Sequence, residues 1–139
     1  PSGKDLFLEK VNGLRTGEYG ATNLIVRDKV LDRRASAALS TTYQKLLDKT
    51  LTAADWNNYC KQEVNKGIIK TEHGYARVVH VDIYRVPVIR YMNGDYDLSA
   101  FLKTDAKDTL GVLNADYVGI ATTISDLEVH VITVFAVAC

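Results

Sequence analysis

The chain has 139 residues, 47% of them apolar and 24% charged, and its 17 basic side chains equal its 17 acidic ones in number. This length predicts one domain over residues 1–139, which buries roughly two-thirds of the surface that the unfolded chain exposes. Zero net charge disfavours nucleic-acid binding, which needs an excess of Lys and Arg on one face, and no stretch approaches the roughly 20 apolar residues that cross a bilayer. We therefore expect no nucleic-acid partner and no transmembrane segment.

Three helices are predicted in the first half of the chain. Apolar residues recur at helical spacing from Asp5 to Arg15. A second helix starts after Asp28, a suitable N-cap, and a third opens at Thr52, whose hydroxyl can accept a hydrogen bond from the Asp55 amide. Gly67 is a natural residue for the left-handed turn that follows this third helix.

A long strand is predicted to begin the second half. Residues alternate from Tyr75 to Val86, which places one set on each face of the strand, and Pro87 then interrupts the ladder at an edge or bend. The two predicted sets are Val79, Val81 and Ile83 on one side, and Val78, His80, Asp82 and Tyr84 on the other.

The last third is predicted to contain a short helical stretch and a hairpin. A turn at 93–95 precedes the stretch, and the hairpin joins strands at about 117–122 and 128–137 through Ser125-Asp126. The final strand is apolar on both faces, so it should lie centrally. The helical stretch contains Leu98, Phe101 and Leu102. The predicted fold class is α+β, as a three-layer α-β-α sandwich with a central, mainly antiparallel sheet.

The chain has two cysteines: Cys60 in the third predicted helix and Cys139 at the last position. They can form a disulfide or remain thiols. In an oxidising compartment a disulfide between them would close a loop of about 80 residues and stabilise the fold by about 4 kcal/mol. In a reducing compartment both would be thiols. On an apolar helix face near Trp56, the Cys60 thiol is expected to be unreactive.

The sequence contains no Gly-rich phosphate loop, no Gly-x-Ser-x-Gly, no His-Glu-x-x-His and no Cys-x-x-Cys, which disfavours nucleotide-dependent and zincin-type enzymes. A metal or acid–base site is conceivable where two strands are neighbours and their polar faces coincide. Its members would be His80, Asp82, Glu128 and His130. The favoured interpretation is that these are ordinary, partly exposed or hydrogen-bonded strand residues.

Segments at the two ends of the chain carry a further pattern. Near the start are residues 6–15, which end in Val11-Asn12-Gly13-Leu14-Arg15, followed by Tyr19-Gly20, Leu24, Leu31 and Ala35; near the end are residues 101–105, 112–121 and 131–136. In this order they resemble the CAP superfamily (cysteine-rich secretory, antigen 5 and pathogenesis-related proteins). The resemblance covers about two-thirds of the chain.

CAP proteins commonly place two histidines and two acidic residues in a central cleft that is proposed to hold a divalent cation. Here Lys107 or Asp108 stands where one histidine is expected, 77–83 replaces a Gly-Glu-Asn motif, and Phe101 replaces a tryptophan. A lysine repels a cation, so the resemblance implies a divergent member whose cation site is absent or rebuilt, with no cofactor.

The resemblance implies a non-catalytic binding domain that is secreted, periplasmic or attached to a cell surface. Its ligand would be a lipid or sterol, in an apolar groove that the helix at 35–39 would line, or a host or matrix protein. The alternative is a small metal-assisted hydrolase, with a site rebuilt around His80, Asp82, Glu128 and His130. A purely structural interaction module is a third possibility.

Overall fold

The computed structural model describes residues 2–99 and 112–139, and it confirms a mixed α+β fold. Four helices and five strands lie wholly within these ranges. The helices are α1 (Gly3–Gly17), α2 (Lys29–Leu47), α3 (Ala53–Val64) and α4 (Val88–Asn93); the strands are β1 (Val26–Arg27), β2 (Ile68–Thr71), β3 (Gly74–Pro87), β4 (Tyr117–Ser125) and β5 (Glu128–Ala138). Of the predicted helical stretch, Phe101 and Leu102 lie outside the described residues, as do Lys107 and Asp108.

The predicted helix starts are confirmed by their caps. Asp28 Oδ1 accepts hydrogen bonds from the backbone amides of Val30 (2.8 Å) and Leu31 (3.1 Å) at the start of α2. Thr52 and Asp55 form a reciprocal capping box at the start of α3. Each cap satisfies amides that the helix itself leaves without acceptors.

The sheet has the order β1-β4-β5-β3-β2, in which β1 and β4 are parallel and the other neighbours are antiparallel. The apolar β5 is central and almost wholly buried, as its sequence predicts. It joins β4 through a two-residue turn, Asp126-Leu127, in which both residues have positive φ (51° and 64°). Such a turn matches the right-handed twist of the two strands.

Alternate residues of β5 belong to two separate hydrophobic cores. Val131 and Phe135 pack with Phe7 and Val11 of α1, whereas Ile132 and Val134 pack with residues of α2. Because alternate side chains of a strand point to opposite faces, we call these the α1 face and the α2 face of the sheet. Partly buried residues of α3 pack against the core on the α2 face.

The predicted faces of β3 are partly wrong, because the strand contains a bulge. The pairing of β3 with β5 shifts between Val78 and His80, which leaves Val79 as an extra residue. Val78 therefore joins Val81 and Ile83 on the α2 face, and Val79 packs against the core on the α1 face. An inserted residue reverses the alternation, and nothing in a run of valines marks where this happens.

Helix α2 lies unusually close to β4. A Cβ atom added at Gly119 would lie 2.0 Å from the carbonyl carbon and oxygen of Leu31. Ala35 and Ala38 are fully buried, and the Asp32 carboxylate accepts a hydrogen bond from the Ile120 amide (2.8 Å). The small residues Ala35 and Ala38 thus permit the close packing of α2, which is the alternative to a lipid groove at 35–39.

The structure has no disulfide between Cys60 and Cys139, so the disulfide weighed from the sequence is not formed. Cys60 Sγ lies 3.5 Å from the Val81 carbonyl oxygen, whereas the Cys139 amide bonds to the Tyr75 carbonyl. Val81 and Tyr75 are six residues apart on β3, which corresponds to about 20 Å along an extended strand. A disulfide requires Cα atoms within about 7 Å.

Candidate functional site

The four candidate site residues lie on neighbouring strands, which meets the first condition for a shared site, but the register keeps them apart. Asp82 is directly opposite Thr133, while His130 is opposite Arg85 and Glu128 is opposite Pro87. Directly opposed residues of antiparallel strands share a face, so Asp82 lies on the α1 face with Thr133. His130 is three residues from Thr133 on the same strand and therefore points to the other face.

The candidates form two separate pairs. His80 Nε2 lies 3.4 Å from Asp82 Oδ2, and the His80 ring stacks on Phe135 at 6.0 Å between centroids. On the other face, His130 Nε2 lies 3.7 Å from Glu128 Oε1. The structure thus does not assemble all four into one site. In the register of β3 with β5, His80 and Asp82 point to one face of the sheet, and Glu128 and His130 point to the other.

His130 is a buried, neutral histidine at one end of the sheet. Burial lowers its pKa, the positive charge of Arg85 lowers it further, and the carboxylate of Glu128 opposes both. Its Nδ1 is buried and has no hydrogen-bond partner in the described part of the chain. It lines a cavity of about 430 Å³ together with Lys45, Lys49, Leu51, Arg85, Ser125, Asp126 and Glu128.

The other pair, His80 and Asp82, lies in a longer depression between α3 and β3, which we call the α3–β3 groove. Its volume is about 780 Å³, and a second cavity of about 450 Å³ also includes Trp56 in its lining. The apolar lining of the groove consists of Trp56, Cys60, Val64, Val79 and Val81, and the polar lining consists of Asn57, Asn58, Lys61, Asn65, His80 and Asp82. An apolar surface with a polar rim is typical of small-molecule sites.

The groove runs along a stretch of β3 that has no outer strand. Within the described residues, β2 pairs only with 74–77, so the outer edge of β3 beyond Arg77 lacks a strand partner. Two side chains satisfy edge groups instead: the Cys60 thiol contacts the Val81 carbonyl, and Asp82 Oδ1 accepts from the Ile83 amide (2.7 Å). Such local contacts protect an edge against unwanted strand pairing.

A third polar cluster, which the sequence analysis missed, joins the start of α2 to the β2–β3 turn. His73 Nδ1 lies 2.8 Å from Asp28 Oδ2, and single ligand atoms of Asp28, Glu72 and His73 all lie within 4.8 Å of one another. One imidazole and two carboxylates are a ligand set that zinc accepts. Asp28 was recognised only as a helix cap, since 45 residues separate it from His73.

The contacts of Asp28 support a structural role for this cluster. Its carboxylate accepts from the amides of Val30 and Leu31 through Oδ1 and from the Glu72 amide through Oδ2. Burial raises the pKa of this carboxyl, but hydrogen bonds from His73 and from these amides outweigh it, so the pKa lies below its ordinary value. Asp28 is therefore a fully bonded carboxylate that ties α2 to the turn.

The two chain segments that carry the CAP resemblance meet at Arg15. Its side chain is fully buried and donates to the carbonyl oxygens of Val112 (3.0 Å) and Leu113 (2.9 Å), with a longer contact to Ala115 (3.3 Å). Asn12 and Asn23 accept from the same guanidinium. We call this arrangement the Arg15 joint; it links α1 to the segment before β4.

Comparison with known proteins gives one informative likeness. No family model matches the chain, and no curated protein matches it. Among solved structures, it is similar to an outer surface protein from Borrelia burgdorferi, with 10% sequence identity, a TM-score of 0.57, and coverage of 99% of this chain and 93% of that chain. At this identity the likeness concerns the fold alone.

In the part of the chain that the structure describes, no helix combines the length and the apolar character needed to cross a membrane.

Proposed function

We propose that this protein is a non-catalytic, CAP-like binding domain that takes a lipid or sterol in the α3–β3 groove. The observation that carries the proposal is the groove itself: Trp56 lines both cavities, and apolar residues of α3 and β3 line the groove together with polar ones. An acyl chain or sterol ring would bury apolar area against these residues, and each CH₂ removed from water contributes about 0.8 kcal/mol.

Two further observations support the CAP assignment and a location outside the cytoplasm. The Arg15 joint brings together in space the two segments on which the resemblance rests. The fold resembles that of an outer surface protein over nearly the whole chain. On this basis we propose that the chain is secreted, periplasmic or surface-attached, and that its two cores are the two interfaces of a three-layer α-β-α sandwich.

The alternative function is a small metal-assisted hydrolase. With His80 and Asp82 on one face and Glu128 and His130 on the other, a hydrolase would have to work with one pair alone. Native mass spectrometry of the purified protein tests this alternative, because a retained divalent ion that is lost in His80→Ala would support it. A host or matrix protein remains the second class of ligand.

The single tryptophan provides the direct test of lipid binding. Titration with 12-bromostearate, whose bromine quenches nearby indoles, should quench Trp56 saturably, and energy transfer from Trp56 to dehydroergosterol should report a sterol in the same groove. Val79→Glu places a charge in the lining, and Asn58→Phe fills the exposed rim; both should weaken quenching by roughly tenfold or more.

Leu24→Glu is the matched control, because Leu24 is 65% exposed and does not line the groove. This variant should bind as the unmodified protein does. Unsaturable quenching, or equal loss in Leu24→Glu and Asn58→Phe, would show that the ligand does not occupy the groove.

A further inference from the structure

At the end that carries β2, the α1 face of the sheet presents exposed side chains. Ile68 of β2 is directly opposite Arg77 of β3, which is directly opposite Val137 of β5; Lys70 is opposite Tyr75 in the next row. Opposed residues point to the same side of a sheet. We call this surface the β2 end face, and its members are Ile68, Lys70, Tyr75, Arg77 and Val137.

Exposure confirms that this side of the strands faces solvent while the reverse side is packed. Ile68 is 55% exposed and Tyr75 is 59% exposed. Their sequence neighbours Ile69 and Ala76, which point to the α2 face, are buried. The period of two thus separates a solvent-facing row of large side chains from the core beneath it.

The charge of the β2 end face has one sign. Its strand ends, at 68–71, 74–79 and 135–139, contain no Asp or Glu. The side chains of Lys70 and Arg77 make no ion pair or hydrogen bond with the described residues. Glu72, in the adjacent turn, accepts a hydrogen bond from the Lys29 amide and is directed toward α2. Two cations therefore stand beside a tyrosine and an isoleucine, and no described residue forms an ion pair with either of them.

Among the residues that the structure describes, no strand pairs with the outer edge of β2, because β2 is the last strand in the sheet order. A segment that pairs with this edge would place alternate side chains about 5 Å from those of Ile68 and Lys70, on the same face. Edge pairing supplies main-chain hydrogen bonds, and the neighbouring side chains supply specificity. Tyr and Arg are also the residue types that contribute most often to the centres of protein interfaces.

We propose that an extended, acidic segment of a partner protein adds to the outer edge of β2 as a sixth strand, with its carboxylates over Lys70 and Arg77. Charge complementarity selects this occupant. The β2 end face shares no lining residue with the α3–β3 groove, so this proposal goes beyond lipid binding and does not depend on it.

The test uses the whole protein and a fluorescein-labelled peptide of about eight residues with alternating Thr and Glu, whose carboxylates lie on one face of a strand. Fluorescence anisotropy at low and physiological salt gives the affinity. Arg77→Glu and Lys70→Glu should each weaken binding by roughly tenfold or more, since they place like charges together. Circular dichroism confirms that each variant is folded.

Arg33→Glu is the matched control, because Arg33 is an exposed arginine on α2 and the substitution changes the net charge equally. It should leave the affinity within about twofold. A second control is the same peptide with alternate amides N-methylated, which keeps every carboxylate but cannot complete a strand ladder; it should bind at least roughly tenfold more weakly.

Three results would overturn the proposal: no saturable binding of the acidic peptide, equal loss in Arg33→Glu and Arg77→Glu, or equal affinity of the N-methylated peptide. Stronger binding of a heparin-derived fragment that Arg77→Glu abolishes would also overturn it, in favour of a polyanion ligand. Failure here leaves the tryptophan quenching by bromostearate unaffected, so the two proposals can fail separately.

Discussion

Arg15 and His130 are both buried nitrogen-bearing side chains, yet their surroundings differ sharply. Arg15 is fully buried and its guanidinium donates to five residues, so every part of the group has an acceptor. His130 is 5% exposed, its Nδ1 has no partner among the described residues, and its pKa is lowered by burial. The charge of Arg15 is stabilised by a complete set of hydrogen bonds, whereas the His130 ring is buried in its neutral form.

Buried polar groups stabilise this fold to different extents. A buried charge is tolerated when its hydrogen bonds are complete, and removing its side chain leaves several carbonyl groups without donors. A neutral, incompletely bonded histidine contributes little beyond its volume. Arg15 is therefore a structural residue, whereas His130 can be replaced at little cost to the free energy of unfolding.

The largest expected effect on stability comes from removing the guanidinium group of Arg15. Arg15→Met keeps much of the volume but leaves the carbonyls of Val112 and Leu113 without their donor. We expect a loss of about 3–5 kcal/mol in the free energy of unfolding, measured by urea denaturation. A loss below about 1 kcal/mol would show that the hydrogen bonds of Arg15 contribute little to the stability of the fold.

The next largest effect on stability is expected where α2 packs closely against β4, at a contact that involves no charged group. Gly119→Ala places a methyl group 2.0 Å from the Leu31 backbone, so α2 must move, and we expect a loss of about 1–3 kcal/mol or more. Gly13→Ala is the control, because Gly13 lies within α1 and an added Cβ meets nothing within 4 Å. It should stabilise the protein by about 0.5–1 kcal/mol, and equal thermal shifts of both variants would contradict the close approach.

A smaller effect is expected at Asp28, which is bonded like Arg15 but carries the opposite charge. Asp28→Asn should cost about 1–2 kcal/mol near neutral pH, because it weakens the α2 cap and the contact with His73. The folded-state pKa of Asp28 is lowered, so its contribution is complete above the ordinary carboxyl pKa and is lost as the pH falls through the folded value.

Urea denaturation across acidic pH should therefore show the unmodified protein and Asp28→Asn converging. A thermal stabilisation by Zn²⁺ that His73→Gln abolishes would instead assign the cluster to metal binding.

The smallest effect is expected at His130. Its pKa is lowered on folding, so the unfolded chain takes up a proton first as the pH falls below about 6.5, and stability declines there. His130→Leu should remove this decline and change stability near neutral pH by about 1 kcal/mol or less. Unfolding free energies measured between about pH 7.5 and 5 test this, and an unchanged slope in the variant would contradict a neutral, buried histidine.

Local signals in the sequence predicted α1, α2, α3 and the hairpin of β4 and β5, with the turn one residue early, but they did not predict α4, β1 or β2. Asp28, Thr52 and Asp55 carry their capping chemistry in the side chains themselves, and the apolar run of β5 indicates a central strand directly. The bulge at Val79 was missed, because an unpaired residue depends on the register with β5. The same register separated His80 and Asp82 from Glu128 and His130.

Sequence by itself determined the α+β class, the order of the long helices and strands, and the capping residues of α2 and α3, because these depend on side chains a few positions apart. Tertiary structure alone decided which polar residues meet. Arg15 bonds to residues about one hundred positions away, and Asp28 meets His73 across the start of α2. Strand register and helix packing decide these contacts, and a one-residue shift in strand register sends a side chain to the opposite face of the sheet.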